Sequence, residues 1–107
     1  MTKFDSSVTN VVVVGQIDED VFAEVEAMYK DTFGIFAKQK GYLGGTILKS
    51  EESCTLVSVL QWESKEDHIA CTQSPDWWQT PKAGRWKELM EAGKIRMQPE
   101  VYSVLCQ

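Results

Sequence analysis

Ser58, Trp62 and His68 combine residue types and spacing that could do chemistry, and they lie close together in the stretch 57–70, VSVLQWESKEDHIA. His68 is the only histidine of the chain, and an unperturbed imidazole titrates near working pH. Set against a bound molecule, it can take a proton from a hydroxyl as a general base. Trp62 offers a large apolar ring, either as a core anchor at a strand end or as a pocket wall. Ser58 and Trp62 are four residues apart, so on a strand they share one face. Ser58 then packs in the core, bonds to backbone or turns its hydroxyl into the same pocket.

Other residues are candidates for holding a substrate. Trp77 and Trp78 are an adjacent aromatic pair after a helix break. One can point inward and the other outward, so at least one is placed to close a pocket or meet a partner subunit. Tyr29 belongs with Phe33 to an apolar helical stripe and is also a candidate substrate contact. Asn10 and Gln16 interrupt an apolar strand, and buried amides need partners, which a ligand or a second subunit would supply. Cys54, Cys71 and Cys106 are odd in number and lack the close pairing of a metal site. None has an obvious base beside it, so they read as reduced thiols, and no metal centre is expected.

These residues are positioned by a short series of elements. Residues 8–17 are β-branched and nearly all apolar, a strand. Asp18 or Asp20 supplies an N-cap oxygen to a helix whose stripe is Val21, Val25, Met28, Tyr29, Phe33 and Phe36. That helix ends in Lys38 and Lys40, with Gly41 free to take the left-handed conformation. Residues 44–50 form a second strand, 51–53 a turn and 55–62 a third strand. Ser64 to Asp67 has capping-box spacing before Ile69 and Ala70. Ser74-Pro75-Asp76 interrupts this helix, and another begins with Thr80 as cap and Pro81 as first residue. It carries Trp86, Leu89 and Met90 inward and stops at Gly93. Residues 95–106 are the last strand, with Pro99 marking an edge or a bulge.

The order is β-α-β-β-α-β with the second helical region in two pieces, an α+β, ferredoxin-like arrangement of four antiparallel strands with helices on one face. An antiparallel sheet with one wet face should alternate apolar and polar residues. The run Val11-Val12-Val13-Val14 does not, and Leu56, Val57, Val59 and Leu60 occupy both faces of the third strand. A second copy of the same sheet is the simplest cover, so a twofold homodimer is expected.

A chain of 107 residues suits one domain, 1–107. Its net charge of −5 argues against nucleic acid or an anionic membrane as partner, since both call for clustered Lys and Arg. The start, MTKFDSSVTN, has no long apolar region behind a basic end, and the valine run is too short to span a bilayer. A cytoplasmic protein is the expectation.

Two segments, Gly41-Tyr42-Leu43-Gly44-Gly45 and Gln61-Trp62-Glu63-Ser64-Lys65-Glu66-Asp67-His68, carry a resemblance to the antibiotic biosynthesis monooxygenase domain, a family of small dimeric α/β barrels. The similarity runs roughly from Val11 to Leu105. The family's quinone-forming oxygenases share an Asn-x3-Trp-x5-Tyr pattern around this strand exit and oxidise electron-rich phenols or anthrones with molecular oxygen, without metal or flavin. Here Trp62 matches, while Ser58 stands at the Asn position and His68 at the Tyr position. The resemblance implies a monooxygenase without cofactor acting on a small aromatic, quinol-like substrate, with catalytic groups altered to His68 and Ser58. The alternative is a non-catalytic dimer that binds a small hydrophobic molecule or a protein. The heme-degrading branch fits worse: Asn10 resembles its strand asparagine, but no histidine lies between Pro75 and Gly93 to serve as axial ligand.

Overall fold

The computed structural model describes residues 8–106, and in it the chain forms one four-stranded antiparallel sheet. The elements are β1 (Thr9–Ile17), a 3₁₀ turn (Glu19–Val21), α1 (Phe22–Phe36), β2 (Tyr42–Lys49), β3 (Thr55–Trp62), α2 (Lys65–Thr72), α3 (Pro75–Trp78), α4 (Pro81–Glu91) and β4 (Ile95–Tyr102). Strands lie in the order β2-β3-β1-β4, the ferredoxin-like arrangement.

Register decides which side chains meet the helices. Val11 pairs with Leu60, Val13 with Ser58 and Gly15 with Leu56, and β4 adds Met97 opposite Gly15 and Ile95 opposite Ile17. These positions face the helical layer. Val11, Leu60, Trp62 and Cys71 form one buried cluster. Ile17, Val25, Tyr29, Leu56, Trp86 and Leu89 belong to a larger one. The intervening residues Val12, Val14, Val57 and Val59 lie on the other face, and Leu48 beside Val57 is 54% exposed there. The unbroken valine run is thus one strand with an apolar side chain on both faces.

The two segments GYLGG and ESKED meet in space. Gly41 adopts φ +84°, and its carbonyl accepts a hydrogen bond from the Glu63 amide at 2.8 Å. A side chain at Gly41 would fall on the Asp67 carboxyl group, so glycine serves both the left-handed turn and the close approach. Ser64 caps α2 by accepting from the Asp67 amide at 3.1 Å, a contact whose loss generally costs about 1 kcal/mol. Thr80 caps α4 in the same way through the Ala83 amide.

Four expectations are corrected. Neither Asp18 nor Asp20 caps α1: Asp18 makes no side-chain cap bond, its carboxylate accepts from Arg96, and Asp20 accepts from Lys94 at 2.8 Å. With both carboxylates drawn toward β4 and its approach, the first turn tightens into 3₁₀ geometry and α1 begins at Phe22. That helix stops at Phe36, short of the lysines. Met90 is 41% exposed and does not join Trp86 and Leu89 in the core. β4 ends at Tyr102 instead of running to Cys106, because Tyr102 pairs with Asn10 close to the start of β1. Among the described residues no helix is long and apolar enough to cross a membrane.

Candidate functional site

Between the helical layer and the sheet lies a cavity of about 460 Å³, within the range of roughly 300–1,000 Å³ usual for small-molecule sites. Its floor is Val13, Ile47, Ser58, Leu60, Met97 and Pro99 from the strands. Tyr29, Thr32, Phe33 and Phe36 of α1 line it from above, with His68 and Thr72 of α2, Trp77 of α3, and Trp86 and Met90 of α4. Met90 and Pro99 are exposed, so the cavity opens between α4 and β4.

The lining is almost wholly apolar, and some of its few polar groups are committed elsewhere. Thr32 Oγ1 accepts from the Trp86 indole at 3.2 Å, and the Thr72 hydroxyl donates to the Ile69 carbonyl at 2.7 Å. His68 Nδ1 and the Tyr29 hydroxyl are buried with no hydrogen-bond partner. A buried polar atom without a partner is uncommon enough to call for an explanation.

His68 sits one turn into α2, its amide bonded to the Ser64 carbonyl. Its ring lies 5.9 Å from that of Trp62, tilted by 53°. Burial holds its pKa below the usual 6.5, because the charged imidazolium loses hydration in the apolar lining. The ring is therefore neutral at pH 7 and able to accept a proton. Trp62 is 0% exposed and does not itself line the cavity. It backs His68, is packed edge-on against Tyr42, and its indole nitrogen is also buried without a partner.

Of the sequence-derived candidates, Ser58, His68, Tyr29 and Trp77 come together on the cavity wall. Asn10 does not: it lies on the opposite face of the sheet, where its Oδ1 accepts from Gln61 Nε2 at 3.0 Å and its own amide donates to the Tyr102 carbonyl. Its partners are thus within the chain. The Trp78 side chain lies outside the described residues. Sequence reading passed over Phe36, Trp86 and Met97 as site residues, since a helical stripe looks the same whether it meets a packed core or a void. Among the described residues no group of three His, Cys, Asp or Glu side chains is placed to hold a metal ion.

No family model matches the sequence, and no curated protein matches it. Solved structures do match in fold. SnoaB, a cofactor-independent oxygenase from Streptomyces nogalater, superposes with a TM-score of 0.77 at 16% identity, over 94% of this chain and 96% of that one. A candidate antibiotic biosynthesis monooxygenase from Nitrosomonas europaea gives 0.72 at 14% identity over 97% and 96%. A candidate monooxygenase from Shewanella loihica gives 0.68 at 18% over 96% and 99%. The chain has the α+β fold of the antibiotic biosynthesis monooxygenase-type proteins.

Proposed function

We propose that this chain, built on the fold of the antibiotic biosynthesis monooxygenases, is a monooxygenase that oxidises a small aromatic, quinol-like substrate with molecular oxygen and no bound cofactor. The observation that carries the reading is the ring of His68, the only histidine of the chain, on the wall of an apolar cavity. SnoaB, of the same fold, is a cofactor-independent oxygenase.

In this mechanism the substrate hydroxyl lies against His68. The neutral ring accepts the hydroxyl proton, leaving an electron-rich phenolate. The apolar walls exclude water and hold the ring in one orientation, with Phe36, Trp77 and Trp86 as aromatic surfaces. The phenolate reduces oxygen directly. For a phenol with a free para position, the ring carbon loses its hydrogen and gains one oxygen atom as the second quinone carbonyl. The other oxygen atom leaves as water, and the four electrons taken from the ring are those that reduce the dioxygen. His68 returns its proton to the departing water.

The open sheet face supports a homodimer. Val12, Val14, Val57, Val59 and Leu48 make an apolar centre there, rimmed by Thr46, Arg96, Gln98 and Glu100, the anatomy of an interface core with a polar rim.

The test is oxygen consumption by metal-stripped protein against hydroquinones, anthrones and catechols. Uptake above autoxidation is expected, falling by roughly 10²–10⁴ in His68→Gln. Full uptake by that variant would refute the base assignment. Ligand-dependent thermal stabilisation without uptake on any substrate would favour the alternative, a non-catalytic binding dimer, which the replacement of two pattern residues by Ser58 and His68 also motivates.

A further inference from the structure

We propose that the ligand carries an alkyl chain, which leaves the cavity at Pro99 and lies along the uncovered end of β4 over Val101. The inference rests on the cavity being the ligand site, as the proposed function has it, but not on turnover.

Side chains of β4 fall into two rows, one on each face of the sheet. Arg96, Gln98, Glu100 and Tyr102 make the row on the open face, opposite Gln16, Val14, Val12 and Asn10. Ile95, Met97, Pro99 and Val101 make the row on the helical side, and all of them are apolar. The helices cover only the first half of that row. Ile95 is buried and Met97 half-buried, whereas Pro99 is exposed, and residues 103–106 leave Val101 48% exposed. Met97 and Pro99 line the cavity, so the uncovered end of the row begins at its opening. Proline at 99 has a second use, since it leaves an edge strand with one exposed donor fewer. Val101 has no such use: threonine would keep the strand propensity and offer water a hydroxyl.

The strip is one side chain wide, and its width identifies the occupant. β4 is the last strand of the sheet. On its inner side Val13, opposite Pro99, lines the cavity, and Val11, opposite Val101, is fully buried. A strip this narrow falls far short of the roughly 800 Å² that a protein partner buries on each side. A flexible chain fits it. Pro99 to Val101 spans about 7 Å of strand, the length of about five or six methylene groups. Met90, exposed on α4 across the opening, is unbranched and adapts to a chain passing beside it. None of the lining residues is an acid, a lysine or an arginine, which suits an alkyl substituent over a charged one. The ligand class follows: a phenol or quinol ring for the cavity, with an alkyl substituent for β4.

The test is the affinity of 5-methyl-, 5-propyl- and 5-pentylresorcinol, followed by quenching of tryptophan fluorescence with Trp77 and Trp86 on the wall as reporters. Full burial of a methylene is worth about fourfold in affinity, and partial cover on this strip about twofold. From methyl to pentyl, wild type should therefore gain about tenfold or more. Val101→Asp should bind the methyl compound as wild type does and lose most of the gain from propyl to pentyl. Val101→Thr keeps the shape and should lose part of that gain, which preserves the test if the aspartate variant does not fold. Gln98→Asp, the same charge on the other row, should keep the gain in full. Affinity that is flat from methyl to pentyl, a full gain in both Val101 variants, or binding of none of the three compounds overturns the proposal. Failure of oxygen uptake alone would sink the oxygenase reading and leave this result standing. Binding without a chain-length gain would sink this inference and leave the cavity as the ligand site.

Discussion

The seat of the Tyr29 hydroxyl on Gly15 predicts a coupled pair of substitutions. Gly15→Ala puts a methyl group onto the Tyr29 oxygen, while the Leu56 carbonyl, 3.5 Å from it, is in ordinary contact. The ring cannot swing freely, because Trp86 packs against it at 5.3 Å. Overpacking of this kind costs about 1–3 kcal/mol. Against it stands the gain from replacing glycine within a strand, about 0.5–1 kcal/mol. Taking the middle of each range the clash wins, leaving a net loss of roughly 1 kcal/mol, or a fall in melting temperature of about 4–8 °C per kcal/mol for a domain of this size. Tyr29→Phe alone removes an unpartnered buried hydroxyl and should be neutral or slightly stabilising. In the double variant the methyl group takes the vacated space, so most of the loss should return. Denaturant unfolding of the four proteins gives the coupling energy, expected at about 1 kcal/mol or more, against the few tenths seen for independent sites. Additive effects would refute this account of how Tyr29 is seated on Gly15.

Three further outcomes follow from other parts of the fold. His68 has a pKa held below 6.5 by burial, so between its folded value and 6.5 the unfolded chain binds more protons than the folded one. The contribution is fully present above pH 6.5 and lost as pH falls through that window; melting profiles of wild type should decline there, and those of His68→Asn should be flatter. Oxygen uptake should have its acid limb in the same window, since only the neutral ring can accept a proton. On the open face, Val59→Glu would bury an unpaired charge in the proposed dimer, so sedimentation should show the dimer dissociation constant raised roughly a hundredfold or more with the monomer still folded. A wild-type chain that sediments as a monomer at working concentrations would remove the basis of the dimer.

The sequence by itself determined the four strands, the longer helices and their order, because periodicity is set by near neighbours along the chain; the short helix Pro75–Trp78 stands where Ser74-Pro75-Asp76 reads only as a break. The apolar, valine-rich run in 55–62, the stripe from Val25 to Phe36, and Ser64 and Thr80 as caps specify local structure without reference to anything distant. The apolar character of both sheet faces was legible for the same reason, in the unbroken run from Val11 to Val14. Tertiary structure decided which of these residues share a site. Asn10 and Ser58 were both candidates, yet the register pairs Asn10 with Gln61 on one face and Ser58 with Val13 on the other, so only Ser58 reaches the cavity. Trp62 was readable as an anchor, but its place behind His68 depends on how α2 leaves the strand. Asp18 looked like a cap until Arg96, distant in sequence, was brought beside it by the pairing of β1 with β4. Tyr29 belongs to a stripe that would look identical over a solid core. What makes its hydroxyl notable is the bare backbone of Gly15 beneath it, and only strand pairing and helix packing bring those two positions together.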